Sequence, residues 1–172
     1  MKKIKLTRGM FALVDDEDFE YLNQFNWMVS ESHNMFYAVG ILSSHRVRGV
    51  KHKVVKMHQV IMRTPKGKCT DHINRNGLDN RKKNLRICTN AENCKNTVSR
   101  KGFTSIYKGV CRRLTRNVNK NYYFWVAQIT LNYKVIHLGH FEKEVDAARA
   151  YNKKAKELFG EFASLNKIRR IK

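Results

Sequence analysis

The sequence is short of acidic side chains and almost without proline. It has 14 Asp and Glu against 35 Lys and Arg, which gives a formal net charge of +21, and its one proline is Pro65. Such a deficit of negative charge is typical of proteins that bind polyanions, and nucleic acid is the leading candidate. The hydrophobic fraction of 42% excludes a chain that is disordered throughout, and 172 residues suffice for one ordinary domain or two small ones.

Long apolar runs are also missing. No apolar run approaches the roughly 18 residues that a membrane-spanning helix needs. The first segment, MKKIKLTRGMFALVDDEDFEYL, meets acids where a signal peptide needs an uncharged core. We therefore expect no membrane partner and a cytoplasmic location, in a bacterium or a phage-infected host cell.

Paired cysteine motifs are absent as well. The four cysteines contain no CxxC pair, so a zinc ribbon is a poor match. A disulfide framework is unexpected in a reducing compartment. We interpret the four as small core or surface residues rather than metal ligands: Cys69, Cys88, Cys94 and Cys111.

The basic charge is unevenly distributed. Residues 1–44 carry 4 basic and 6 acidic side chains, residues 45–100 carry 15 and 3, and residues 101–172 carry 16 and 5. We therefore expect the polyanion-binding surface on the last two thirds of the chain.

The pattern of β-formers and turns predicts an α+β protein that begins with a β-rich region at residues 1–54. FALV, FNWMV, FYAVGIL and VKHKVVKM are the candidate strands, and DDED and SESHN are read as turns between them. HQVIMRT is a short helix candidate that Pro65 ends. KCTD and LRICT predict two strands around the turn INRNGLDN, and Thr89 with Glu92 forms a capping box for a following helix.

The last third of the chain predicts a three-stranded antiparallel sheet packed on one helix. After a linker at 99–105, YKGVCRR, YYFWVAQITL and KVIHLGHF are the strands, with LNYK as a tight turn. EKEVDAARAYNKKAKELFG has helical spacing of its apolar residues, and Gly160 stands at the C-terminal cap. Trp125 is expected in the core, and residues 167–172 form a basic tail.

The polar stretch between the two short strands holds groups that phosphodiester cleavage needs. Asp71 and Asn93 offer oxygen ligands for a hard cation such as Mg²⁺, and His72 offers a base near neutral pH. Asn84 can brace the loop and His72 by hydrogen bonds. A lone Asp-His pair is usually a turn, but here a basic shell suited to phosphate surrounds it: Arg75, Arg81, Lys82, Lys83 and Arg86.

Three segments of this region form a recognisable series: VVKMHQVIM, CTDHINRNGLDNRKKNLRICT and AEN. Together they resemble the HNH nuclease module of homing endonucleases, whose ββα-metal fold holds one divalent ion. The resemblance covers residues 55–98. It implies Asp71 and Asn93 as ligands of one Mg²⁺ or Mn²⁺, His72 as general base and Asn84 as the residue that orients the histidine loop. Asn93 stands where many relatives have histidine, and His58 matches a recurrent histidine that we interpret as bracing the fold.

Residues 106–166 contain five further segments of this kind: YKGV, WVAQI, LGHF, AARAYNKKAKELFG and FASLN. They resemble the APETALA-two and ethylene-response-factor DNA-binding domain. The resemblance implies that the sheet enters the major groove, with base-reading positions at Lys108, Cys111, Arg113, Gln128, Thr130, Val135 and His137. Several of these residues differ from those usual in the plant members of that family, so the family's target preference does not transfer to this chain. Independently of the resemblance, Lys108, Arg113, Gln128 and Lys134 supply donors for phosphate or bases.

The sequence therefore predicts a metal-dependent, site-recognising endonuclease of homing type that acts on double-stranded DNA. The resemblance to HNH nucleases implies that hydrolysis leaves 5′-phosphate and 3′-hydroxyl ends. The alternative is a non-catalytic DNA-binding regulator that keeps a nuclease-like fold. An RNA-binding accessory is weaker, because no aromatic pattern for stacking single strands stands out. Whether a monomer or a homodimer acts is left open.

Overall fold

The computed structural model describes residues 1–32, 35–42, 54–96, 104–116 and 121–168. The chain divides into two compact units, a first unit at Met1–Asn93 and a second unit at Cys94–Lys172. Most of the predicted linker, at 99–103, and most of the basic tail, at 169–172, lie outside the described residues. Within the described ranges, no helix is both long enough and apolar enough to cross a membrane.

The first unit is built from short strands and helices around one apolar core. Its described strands form three antiparallel sheets. Two sheets have two strands each, β1–β2 and β6–β7, and the other has three strands in the order β3–β4–β5. The core joins the amino-terminal strands to the start of α2, and its buried residues include Ile4, Val14, Leu22, Trp27 and Met57. The elements are β1 (Lys2–Lys5), β2 (Phe11–Val14), α1 (Asp16–Leu22), β3 (Trp27–Ser32), β4 (Met35–Gly40), β5 (Val55–Lys56), α2 (Met57–Ile61), β6 (Cys69–His72), β7 (Leu85–Cys88) and α3 (Asn90–Asn93).

The acidic segment after β2 is a helix, so the prediction of a turn at DDED was wrong. α1 starts after Asp15 and carries three acids in its first turn, Asp16, Glu17 and Asp18. Acids at a helix N-terminus are favourable because they face the positive end of the helix dipole. The run of acids was therefore a helix-start signal rather than a loop signal.

The strand-loop-strand-helix arrangement predicted around the polar stretch is present. Cys69 pairs with Cys88 and His72 with Leu85 across β6 and β7. The capping box before α3 forms as predicted, because the Glu92 carboxylate accepts the Thr89 backbone N–H at 2.7 Å and the Thr89 hydroxyl accepts the Glu92 N–H at 3.2 Å. α3 is thereby fixed at the end of β7.

The second unit is a three-stranded antiparallel sheet with one helix, as predicted. Its strands lie in the order β10–β9–β8, and LNYK is a two-residue turn in which Asn132 and Tyr133 have φ of 48° and 64°. Trp125 packs in the core between sheet and helix. The elements are β8 (Val110–Arg116), β9 (Asn121–Leu131), β10 (Lys134–Phe141) and α4 (Glu144–Phe159), which Gly160 ends with φ of 52°.

α4 approaches the sheet closely because its inner face is small. Ala147, Ala148 and Ala155 are fully buried against Ala127 and Ile129 of β9. Gly109 lets Tyr151 of the helix lie against the strand, since a Cβ at this position would overlap the Tyr151 ring and lie 2.5 Å from the Gln128 backbone oxygen. One face of the sheet is thus closed by the helix, and the other face is left for contacts.

Candidate functional site

Asp71 and His72 end β6 and are both nearly inaccessible, with exposures of 7% and 6%. Cross-strand register places Asp71 opposite Arg86 and His72 opposite Leu85. Successive side chains of a strand point to opposite faces, so the acid and the imidazole have different neighbours. The structure thus buries the pair that the sequence singled out, which a turn on the surface would not do.

The His72 ring is held by an amide and lies close to two other rings. Its Nε2 lies 3.2 Å from the Asn80 side-chain oxygen. Because an amide oxygen only accepts, Nε2 carries the proton and Nδ1 is the ring nitrogen that can take one up. The ring centroids of His58 and Tyr37 lie 4.8 Å and 6.0 Å from that of His72.

Burial lowers the pKa of His72 below its ordinary value of 6.5, while the bond to Asn80 and the charge of Asp71 act in the opposite direction. The net shift keeps the imidazole neutral at pH 7. A neutral imidazole is the form that can accept a proton.

His58 is a second buried histidine behind the first. It is 4% exposed, and burial with the nearby charges of His72 and Lys56 lowers its pKa to about 3. Its Nδ1 has no hydrogen-bond partner among the described residues. His58 therefore packs as a neutral ring against His72, which agrees with a bracing role.

Asn84 ties together the loop that follows His72. Its side-chain oxygen accepts the Asn74 backbone N–H at 3.0 Å, and its amide donates to the Asp79 backbone oxygen at 2.7 Å. Its own backbone oxygen accepts the Ile73 N–H at 2.9 Å. Asn84 thus bonds to the loop that follows His72, whereas a side-chain hydrogen bond to the His72 ring comes from Asn80.

The same loop is docked on β2 by backbone bonds. Asn80 donates its N–H to the Leu13 oxygen, and the Leu13 N–H donates to the Leu78 oxygen, both at 2.8 Å. Gly77 passes against the Tyr37 ring so closely that a Cβ would lie 2.7 Å from it. Asn80 is completely buried at this junction. The amino-terminal strand therefore positions the residue that holds His72.

Asp71 is engaged by Arg86. The guanidinium donates from Nε at 3.0 Å and from Nη2 at 2.7 Å to the same carboxylate oxygen, Oδ2. The side chains are 11% and 7% exposed, so this is a largely buried ion pair. The guanidinium places a positive charge beside the predicted ligand.

Asn93 lies on α3, which packs against β6, the strand that carries Asp71. A carboxylate and an amide oxygen are hard ligands of the kind that Mg²⁺ accepts, so the two residues fit a magnesium site with several positions left for water and phosphate. Among the described residues, no three His, Cys, Asp or Glu side chains form a metal-binding group. Any ion bound here would therefore be held by few protein ligands.

The predicted basic shell separates into engaged and exposed members. Arg81 donates two hydrogen bonds at 2.6 Å to Asp79, and Lys82 contacts Glu17 at 2.6 Å. Arg75 is half-buried with φ of 62°, and Lys83 is exposed. Three of the five predicted phosphate contacts are thus paired with carboxylates of the first unit: Arg81, Lys82 and Arg86.

In the second unit, four predicted DNA contacts share the face of the sheet that is turned away from α4: Arg113, Gln128, Thr130 and His137. Gln128 and Thr130 alternate with the buried Ala127 and Ile129, which face the helix. His137 is directly opposite Gln128 across β9 and β10. The alternation thus gathers these four side chains on one surface.

A β-bulge between His137 and Gly139 extends this surface. It brings His140 beside His137, with ring centroids 4.7 Å apart, and against Phe124 at 4.8 Å. Lys108 and Lys134 are placed differently, because Lys108 donates from Nζ to the Lys95 oxygen at 2.9 Å and Lys134 stands beside the turn. Bulges shift the side-chain alternation by one residue, which strand periodicity alone could not show.

Three residues near His72 were not recognised as site residues from the sequence. Asn80 was read as a turn former, Tyr37 belongs to the amino-terminal region, and Lys56 was one of many basic residues. The signal that could have found Asn80 is its place beside Asp79 in a loop with three more asparagines. Tyr37 and Lys56 reach the site through β4 and β5, and no spacing in the sequence predicts that contact.

Comparison with known proteins adds two findings. The family model described as HNH endonuclease matches residues 56–95. Over 164 residues the chain is 30% identical to the protein named uncharacterized HNH endonuclease L560 of Acanthamoeba polyphaga mimivirus, a match that covers 94% of this chain and 77% of that protein. No solved structure matches the chain significantly.

Proposed function

The chain belongs to the HNH endonuclease family, and on that premise we propose that it is a metal-dependent, site-recognising endonuclease of homing type that hydrolyses double-stranded DNA. The first unit carries the chemistry and the second unit the recognition of the target. The observation that carries the proposal is the buried Asp71-His72 pair, in which the His72 Nε2 lies 3.2 Å from the Asn80 side-chain oxygen.

His72 is the general base. With Nε2–H held by Asn80, Nδ1 takes the proton of the attacking water, and the lowered pKa of the ring keeps that nitrogen unprotonated at neutral pH. Asn84 contributes by holding the loop between His72 and Asp79 in one conformation. These residues orient the base before substrate binds, which preserves catalytic geometry.

Asp71 and Asn93 would hold one Mg²⁺ or Mn²⁺. When bound, the ion supplies positive charge for the phosphate and for the departing oxygen. Arg86 orients the Asp71 carboxylate through two hydrogen bonds to Oδ2.

The exposed face of the second unit reads the DNA. Four side chains supply donors and acceptors on one surface of the three-stranded sheet: Arg113, Gln128, Thr130 and His137. Lys83 and Arg75 of the first unit add contacts to the phosphate backbone.

One feature favours the alternative of a non-catalytic DNA-binding protein. The Arg86 guanidinium occupies an oxygen of the predicted metal ligand, so a positive charge stands where a cation would have to approach. That protein would bind DNA tightly without cutting it.

The test is an incubation of supercoiled plasmids carrying candidate sites with the wild type, His72→Ala and Asp71→Ala, in Mg²⁺ or in EDTA. We expect cleavage by the wild type in Mg²⁺ alone, with His140→Ala of the second unit as a histidine control that still cuts when the protein saturates the DNA. Cleavage that survives both first-unit substitutions would refute the site, and tight binding without any cleavage by the wild type would favour the alternative.

A further inference from the structure

A lysine that no sequence motif singles out lies beside the histidine pair of the first unit. Lys56 is the last residue of β5 and pairs with Val39 of β4. Its side chain is exposed, and its Nζ lies 5.2 Å from the centroid of the Tyr37 ring. At this distance the ammonium is attracted to the face of the ring, which restrains an otherwise flexible side chain.

Tyr37 connects this lysine to the site. Its ring centroid lies 5.8 Å from that of His58 and 6.0 Å from that of His72. The charge of Lys56 is also a smaller cause, after burial, of the lowered pKa of His58. The lysine and the imidazole that serves as the base thus both lie near one tyrosine ring.

Two arginines close to the site are held in ion pairs. Arg86 is paired with Asp71 and Arg81 with Asp79, and both pairs are short and sheltered from water. Lys56 forms no ion pair with any residue that the structure describes. An exposed ammonium with no carboxylate partner is available to a phosphate oxygen, whereas breaking a sheltered pair leaves a charge uncompensated.

We propose that Lys56 is a further catalytic residue, whose ammonium contacts a non-bridging oxygen of the scissile phosphate beside His72. The inference rests on the proposed function. Water forms a bond to phosphorus while His72 accepts its proton, and the bond to the 3′ oxygen breaks with its electron pair on that oxygen, which then takes a proton from solvent. Lys56 stays protonated throughout and offsets the negative charge that develops on the phosphate.

An exposed lysine is more often a solvated charge, and the experiment is designed to separate the two roles. The rate of a single turnover is measured at saturating protein for the full-length wild type, Lys56→Gln and Lys56→Arg. Lys66→Gln, which removes an exposed charge after Pro65 in the same unit, is the matched control. Unfolding midpoints are measured for each protein, and Lys56→Met, which keeps the apolar stem over Tyr37, replaces the Gln variant if that variant is unstable.

We expect Lys56→Gln to lower the single-turnover rate on the order of 100-fold, the effect typical of removing one donor that stabilises transition-state charge. Lys56→Arg should retain most of the rate, and Lys66→Gln should match the wild type. A neutral variant that cuts within threefold of the wild type overturns the inference while leaving the nuclease assignment intact. A wild type that cuts no DNA, or a His72→Ala variant that cuts normally, overturns the proposed function itself.

Binding provides a second readout. In a His72→Ala background with EDTA, Lys56→Gln should reduce the slope of log affinity against log salt by about 0.9, the change for one lost phosphate contact. An unchanged slope would mean that Lys56 does not touch the backbone, and it would count against the proposal.

Discussion

The two units of the chain differ in what they bury. Within the described residues, the first unit buries seven polar or charged side chains: His58, Thr70, Asp71, His72, Asp79, Asn80 and Asn84. The second unit buries Ser105 and Ser164 alone among its described polar residues, and its recognition candidates lie on an open sheet face. The difference agrees with the proposal that the first unit carries the chemistry inside a polar site and the second binds DNA at its surface.

Burying polar groups costs stability unless each is hydrogen-bonded, because water no longer solvates them. The first unit meets part of this cost with a loop in which Asn84 bonds to the backbone and Asn80 to His72, while His58 Nδ1 and Asn80 Nδ2 have no partner among the described residues. The described part of the second unit has no such loop in its core, since small alanines of α4 pack directly on the sheet. Substitutions should therefore separate activity from binding.

The largest effect is expected at the base. His72→Ala should lower the cleavage rate by about 10²- to 10⁴-fold, the range for loss of a positioned general base, and should leave DNA affinity nearly unchanged. A rapid-quench cleavage assay and a gel-shift titration measure the two quantities. His140→Ala in the second unit should instead weaken DNA binding and leave the cleavage rate at saturation nearly unchanged. Equal cleavage by the two variants would contradict the difference between the units.

The next largest effect is expected from a substitution that destabilises the second unit alone. Gly109 has φ of 72° and no space for a Cβ beside Tyr151, so Gly109→Ala should cost at least about 3 kcal/mol. Gly160→Ala is the matched control, because its φ is also positive but nothing lies within 4 Å of a Cβ. Urea unfolding followed by circular dichroism compares them, and equal losses would show that the close approach is unimportant.

The polar loop should be more sensitive than a surface turn of similar composition. Asn84→Ala removes bonds to Asn74 and Asp79 and should cost about 1–3 kcal/mol, because buried backbone groups lose their partners. Asn76→Ala, which removes one exposed bond to the Leu78 N–H, should cost less. Chemical denaturation measures both values, and the reverse order would refute the bracing role.

Binding should depend on the open sheet face. Gln128→Ala should weaken affinity for the preferred site by about 1–3 kcal/mol, the usual value of one good base contact, without slowing cleavage at saturation. Lys153→Ala, on the exposed side of α4, is the control. If both variants bind alike, the sheet face does not read the DNA.

The smallest effect concerns the stability of the folded protein at acidic pH. The folded-state pKa of His58 is about 3, below the ordinary 6.5, so the unfolded chain binds a proton that the folded protein excludes. Stability should therefore fall as pH drops below 6.5, by about 2 kcal/mol from this residue by pH 5. Denaturation at pH 7, 6 and 5 should show a shallower loss for His58→Gln, and an equally steep loss would contradict the neutral buried ring.

Much of the fold follows from local signals in the sequence. The capping box at Thr89 and Glu92, the LNYK turn and the alanine-rich face of α4 each act over a few residues, and all three occur as predicted. α1 was missed because a run of acids suits both a turn and a helix start. The β-bulge at His137 has no local signal, since periodicity assumes an unbroken strand.

The site shows the same division between local and distant effects. The sequence singled out Asp71, His72 and Asn84 because they are close in the chain and chemically distinctive. It did not predict that Arg86 pairs with Asp71 or that Asn80 holds His72, because charge alone does not say which partner a side chain takes. Tyr37 and Lys56 come from other strands, and only tertiary packing brings them near the imidazole.

The most direct test of the division between the units measures binding and cleavage on one DNA target for two proteins. His72→Ala is compared with the double variant Arg113→Ala and Gln128→Ala, with affinity measured in EDTA and single-turnover cleavage measured in Mg²⁺ at saturating protein. We predict that the first protein binds the target normally and does not cut it, and that the second binds weakly but cuts at the wild-type rate once saturated. Cleavage by the first protein, or a chemical defect in the second at saturation, would contradict the division of labour.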